Sequence, residues 1–74
     1  MCLGIPMKIV ELTWPTAVCE AEGLRRQVNL MLLRPEEVKP GDYVVVHVGF
    51  AIQKVSEELA EESLRFIREL AENA

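Results

Sequence analysis

The sequence predicts a small, mainly β protein: a closed barrel of about five strands, of OB or SH3 type, with an α-helix at its C-terminus. Three observations lead there. Short runs rich in β-branched and apolar residues recur between turn residues. After Ser56 the hydrophobic period changes from strand-like to helical. A chain of 74 residues has little material with which to cover open sheet edges, and closing the sheet removes them.

Pro6-Met-Lys-Ile-Val-Glu-Leu12 reads as a first strand. Trp14-Pro15-Thr16 interrupts it, because Pro15 has no N–H for a ladder. Ala17–Ala21 resumes as a short strand, and Glu22-Gly23 offers a tight turn in which Gly23 is free to take positive φ. Residues 24–31 follow, alternating from Arg26 onward, with Arg26, Val28 and Leu30 opposed to Gln27, Asn29 and Met31. Pro35 opens a loop or single helical turn over Leu33–Val38, and Lys39-Pro40-Gly41-Asp42 is a strong turn signal. Tyr43–Val48 is the strongest strand; its alternation opposes Tyr43, Val45 and His47 to an all-valine face of Val44, Val46 and Val48, the better candidate for the core. Gly49 marks a bulge or sharp bend, and Phe50–Val55 continues as the last strand. The barrel thus occupies about residues 5–55 and the helix about 57–72, as one domain.

Ser56 suits a helix N-cap, with Glu57 and Glu58 at the positive end of the dipole. Leu59, Ala60, Leu64, Ile67, Leu70 and Ala71 form one helical face, and Glu61–Arg65 and Arg68–Glu72 are favourable i,i+4 pairs on the other. That apolar stripe has to be buried, against the barrel or in a partner's groove.

Composition narrows the function. The net charge is −4, with one Trp, one Tyr and two Phe, which disfavours a nucleic-acid partner needing clustered Lys and Arg and exposed aromatics. No run approaches the roughly 20 apolar residues of a membrane span, and Lys8 and Glu11 interrupt the N-terminal apolar run before it forms a signal-peptide core. These features point to a cytoplasmic, reducing setting with both cysteines free. So small a domain leaves little room for a water-excluding active site, and no Ser/His/Asp set, phosphate loop or acid–base pair is present.

Cys2 stands out by position. With Met1 removed, its thiol would adjoin a free ammonium, which favours the nucleophilic, metal-binding thiolate. An incidental terminal thiol is the bland alternative. Against it, Leu3-Gly4-Ile5-Pro6 is apolar, Gly-hinged and Pro-stiffened, and disordered tails are more polar. His47 within an apolar strand is ordinarily a satisfied core residue, yet its alternation with the valines points it outward, as ligand, base or donor. Cys19, mid-strand, reads as a small buried hydrophobe. Cys2, Cys19 and His47 lack the paired spacing of a dedicated zinc site.

Met1-Cys2-Leu3-Gly4-Ile5-Pro6, followed by Lys8-Ile9-Val10, resembles the start of the HypC/HupF family of nickel–iron hydrogenase maturation chaperones. The resemblance recurs over Pro40-Gly41-Asp42-Tyr43-Val44-Val45-Val46-His47-Val48-Gly49-Phe50-Ala51-Ile52 and spans essentially the whole chain. It departs at Cys19-Glu20-Ala21-Glu22-Gly23, where a single Gly stands in a turn that is often Gly-rich. The resemblance implies an OB-like barrel with a C-terminal helix, and a protein that is not an enzyme. It implies a complex with the iron–sulfur scaffold HypD, on which iron acquires cyanide and carbon monoxide, and delivery of the Fe(CN)2CO unit to the hydrogenase large-subunit precursor. The family's functional cysteine maps onto Cys2 and its implicated histidine onto His47, with Leu3, Gly4, Ile5, Pro6 and Phe50 around them as the implied partner interface. Iron would be transient cargo, with no resident cofactor. A thiolate suits such a soft, low-spin iron fragment, and His47 would orient the diatomic ligands or the thiolate. The rivals are an adaptor whose Cys2 docks without touching iron, an OB-type oligonucleotide binder, and a thiol redox protein using Cys19 as resolving cysteine. The chain alone is expected to be monomeric.

Overall fold

In the computed structural model, which describes residues 4–72, five strands close into a barrel and one helix follows. The strands are β1 (Ile5–Thr13), β2 (Thr16–Ala21), β3 (Leu24–Asn29), β4 (Tyr43–His47) and β5 (Phe50–Val55), and α1 spans Glu57–Glu72. A single 3-10 turn at Pro35–Glu37 sits between β3 and β4. Around the barrel the order is β1-β2-β3-β5-β4, the connectivity of a five-stranded Greek-key barrel of OB type.

β1 is the strand that bends. Its first half pairs with β4 (Ile5 opposite Val46, Lys8 opposite Tyr43), and its second half with β2 (Lys8 opposite Glu20, Thr13 opposite Thr16). A register shift between Ile9 and Glu11 marks the bulge where it crosses from one partner to the other. The ring closes between β3 and β5, in parallel, where Asn29 faces Phe50 and the Asn29 N–H donates to the Gly49 carbonyl at 2.9 Å.

The turns follow local chemistry. Lys39-Pro40-Gly41-Asp42 places Gly41 at φ 99°, and the Asp42 N–H donates to the Lys39 carbonyl at 3.1 Å, as Pro then Gly at the turn centre favours. Glu22 and Gly23 have φ of 51° and 81°, so β2 and β3 are joined by a two-residue hairpin turn of the type that matches strand twist. One Gly suffices there because Glu22 itself takes the left-handed conformation. β3 ends at Asn29, two residues short of the expectation of 31, because the Asn29 Oδ1 accepts the Met31 N–H at 2.8 Å and turns the chain away.

Inside lie Met7, Ile9, Ala17, Cys19, Val28, Leu30, Val38, Val44 and Ala51. Met7 and Ile9 on β1, and Ala17 and Cys19 on β2, are alternate positions, as the pleat requires, while Leu30 and Val38 enter from the connection between β3 and β4. The all-valine face expected of β4 is corrected at its end. Val44 is fully buried and Val46 packs against the core, but Val48 is 80% exposed. The reason is that Val48-Gly49, with φ of 53° and 81°, forms the β4–β5 hairpin turn. Gly49 is therefore a turn residue, and the bulge of this hairpin lies between Val45 and Val46.

Ser56 caps α1: its Oγ accepts the Leu59 N–H at 3.2 Å and its carbonyl accepts the Ala60 N–H at 2.9 Å. The helix buries little of its apolar face. Ala60 is fully buried, whereas Leu59, Phe66 and Leu70 are more than half exposed. No helix among the described residues is long and apolar enough to cross a membrane.

Candidate functional site

Of the described residues singled out in the sequence, Gly4, Ile5, Pro6 and His47 lie together where β1 begins beside the end of β4. Pro6 pairs with Val45 and Ile5 with Val46, so the antiparallel register, carried one pair further, sets Gly4 against His47. Gly4 crosses β4 in close contact. A Cβ at this position would collide with Val45 Cγ1 and lie 3.2 Å from the Val46 carbonyl oxygen. Glycine is needed there for approach and not for turning. Pro6 is buried in the same crossing. Cys2 and Leu3 lie outside the described residues.

His47 is the last residue of β4 and is half-buried. Across the two-residue turn it faces Phe50. Ile5, Val48 and Gly49 line one apolar cleft of about 510 Å³, with Leu24 and Arg26 from β3 and Leu64 and Ile67 from α1 among its walls. Gly4, Ile5 and Pro6 also form the floor of a second groove of about 550 Å³, walled by Leu59, Phe66 and Leu70. Ile5, 48% exposed, is thus the ridge between two apolar depressions. Phe50 stands apart from both, 40% exposed, at the β3–β5 seam.

Sequence reasoning missed Val48 as a surface residue and missed Leu24 altogether. The available signal was Val48-Gly49 itself, a residue plus Gly between two strands, which is a hairpin-turn pattern. Leu24 joins the cleft only through barrel closure.

The polar groups near this end are structural. Arg68 reaches from α1 to Glu22 in the β2–β3 turn with two bonds, Nε to Oε1 at 3.0 Å and Nη2 to Oε2 at 2.9 Å. These hydrogen bonds hold the Glu22 carboxyl below its usual range. At the other end, burial pushes the Asp42 carboxyl up, but hydrogen bonds from the Lys39 side chain and backbone and from Lys54 outweigh it and hold the group low. Lys54 also donates to the Glu37 carbonyl at 3.0 Å, tying the 3-10 turn to β5.

Cys19 is a free thiol with no exposed surface. Burial pushes it up to about 11, which leaves it protonated and inert at neutral pH. Among the described residues no three His, Cys, Asp or Glu side chains gather as a metal cage. This end can therefore present an apolar, shape-bearing surface with one imidazole at its edge.

The profile of the HupF/HypC family matches residues 1–67. The hydrogenase maturation factor HypC of Azotobacter chroococcum mcd 1 is 45% identical over 75 residues, covering 100% of this chain and 87% of that protein. The HypC of Helicobacter hepaticus is 40% identical over 74 residues, covering 99% and 85%. The hydrogenase expression/formation protein HupF of Bradyrhizobium diazoefficiens is 42% identical over 60 residues, covering 81% and 59%.

Proposed function

This chain belongs to the HupF/HypC family, and on that premise we propose that it is a non-catalytic, cytoplasmic hydrogenase maturation chaperone that binds the HypD scaffold, carries Fe(CN)2CO through Cys2, and passes it to the large-subunit precursor. The observation that carries the reading is the near-full-length likeness to proteins named as hydrogenase maturation factors. The geometry is compatible with it in two respects. Gly4, two residues after Cys2 in the sequence, is pinned to β4 at the pair position of His47. The surface around Gly4 is apolar and open, which suits docking rather than sequestered chemistry.

A single thiolate is a fitting ligand for a soft iron fragment, and one ligand shared with a partner's cysteine releases more readily than a closed set of four. His47 then acts as a positioning residue, orienting the thiolate or the bound diatomics.

The test is an infrared spectrum of the complex with HypD, purified without oxygen, in the region of metal-bound cyanide and carbon monoxide stretches. Cys2→Ala should leave the complex assembled and remove the bands; His47→Ala should shift them or reduce their intensity. Full bands in an intact Cys2→Ala complex would make Cys2 a docking residue and place the iron ligands on the partner.

A further inference from the structure

The apolar arc of α1 is wider than the barrel covers. Ala60 is fully buried and Leu64 half-buried, but Leu59, Phe66 and Leu70 are 51%, 61% and 57% exposed. These three fall on one line of the helix and wall the groove whose floor is Gly4, Ile5 and Pro6. Three large apolar side chains aligned over an apolar floor exceed the scattered exposure that a small monomer normally shows.

The outer edge of that line is acidic. Glu62 lies one turn before Phe66 and Glu69 one turn after it on the same side, and Glu58 continues the row one turn before Glu62; Arg65 stands in the row at its outer margin, away from Phe66, so the row keeps three carboxylates against one guanidinium. Exposed carboxylates thus border one long side of the groove, and the barrel strands border the other. A second copy of this chain is a poor occupant, because each copy carries a net charge of −4 and the same acidic edge. Charge complementarity favours the opposite partner.

We propose that this groove receives an amphipathic helix of a partner protein, with its apolar stripe laid between α1 and Ile5 and its flank of Lys or Arg set against Glu58, Glu62 and Glu69. The proposal deepens the reading of this protein as a docking chaperone, and it concerns residues distinct from the cysteine assigned to the cargo.

The test uses the full chain, labelled with nitrogen-15, and two synthetic amphipathic peptides. Both carry Leu and Phe at helical spacing; one is flanked by lysines, the other by glutamates. The lysine peptide should bind saturably, moving the amide signals of Leu59, Ser63, Phe66, Leu70 and Ile5, and the glutamate peptide should bind about tenfold more weakly or less. Added salt should narrow that gap. Glu62→Lys/Glu69→Lys, which alters only exposed positions beyond the first helical turn, should reverse the preference with unchanged circular dichroism. Phe66→Ser should weaken both peptides. Equal affinity for the two, signals that move elsewhere, absence of saturable binding, or concentration-dependent shifts of the chain alone that mark self-association would each overturn the proposal. Neither peptide carries cysteine or iron, and Cys2→Ala should titrate like the parent. Failure here therefore leaves the iron-carrier reading standing, and the infrared experiment can fail without touching this one.

Discussion

Val48 is where residue chemistry and function pull apart. A β-branched side chain in the left-handed region is an uncommon outlier, and at φ 53° Val48 occupies it while 80% exposed. No packing holds it there; the hairpin geometry does. Asparagine tolerates this conformation far better. Val48→Asn should therefore raise the unfolding free energy by about 1 kcal/mol in urea titrations, and no change in the midpoint would contradict the strain. Such a residue at the tip beside His47 fits the tendency of strained backbone to sit at working surfaces. Gly4 is the second residue of this kind. Its identity was legible as a hinge, but its reason is the Val45 side chain and the Val46 carbonyl packed beneath it, which no linear pattern reveals.

At the scale of the element, α1 is a helix held at two points. Its first turn is capped by Ser56 and anchored by Ala60, and its second half is tethered by Arg68 to Glu22. Spacing gives Arg68 a helical neighbour in Glu72; the structure shows a bond from Arg68 to Glu22, in a turn 46 positions away, that spacing does not reveal. Between those points the helix relies on few contacts, so the tether governs its local opening. Glu22→Gln should leave the barrel amides as protected as before while hydrogen exchange accelerates over residues 66–70. Uniform exchange rates in parent and variant would mean that packing alone holds the helix. The caps and periods of this element were legible because they depend on neighbours within a turn. Its uncovered stripe was not, because coverage depends on where the barrel lies.

For the molecule as a whole, folding is tied to one buried thiol. Cys19 titrates near about 11 when folded, against an ordinary 9.0, because its environment excludes the charged form. The contribution is complete below about pH 9 and is lost as the pH rises toward 11, where the unfolded chain binds fewer protons than the folded one. Across that window stability should fall by about 2–3 kcal/mol from this group. Cys19→Ala has a lower starting stability but should show a correspondingly shallower alkaline decline in denaturant midpoints. Parallel declines would assign the alkaline loss to other groups. The same burial explains why Cys19 takes no part in the site, consistent with its reading as a small core residue.

What the sequence alone determined is local. Five strands, the turns at Glu22-Gly23 and Lys39–Asp42, the Ser56 cap and the amphipathic helix follow from side-chain period and from the few residues that tolerate particular φ angles. Its two motifs also pointed to the family that the full-chain comparison then established. The tertiary structure decided the rest: the closure of β3 onto β5, the bulge that lets β1 serve two sheets, the turn that exposes Val48, and the groove beneath an uncovered helix face. These are properties of distance and shape between segments far apart in the chain. Alternation can mark a face as apolar, but only the closed barrel determines which apolar faces it covers and which it leaves open.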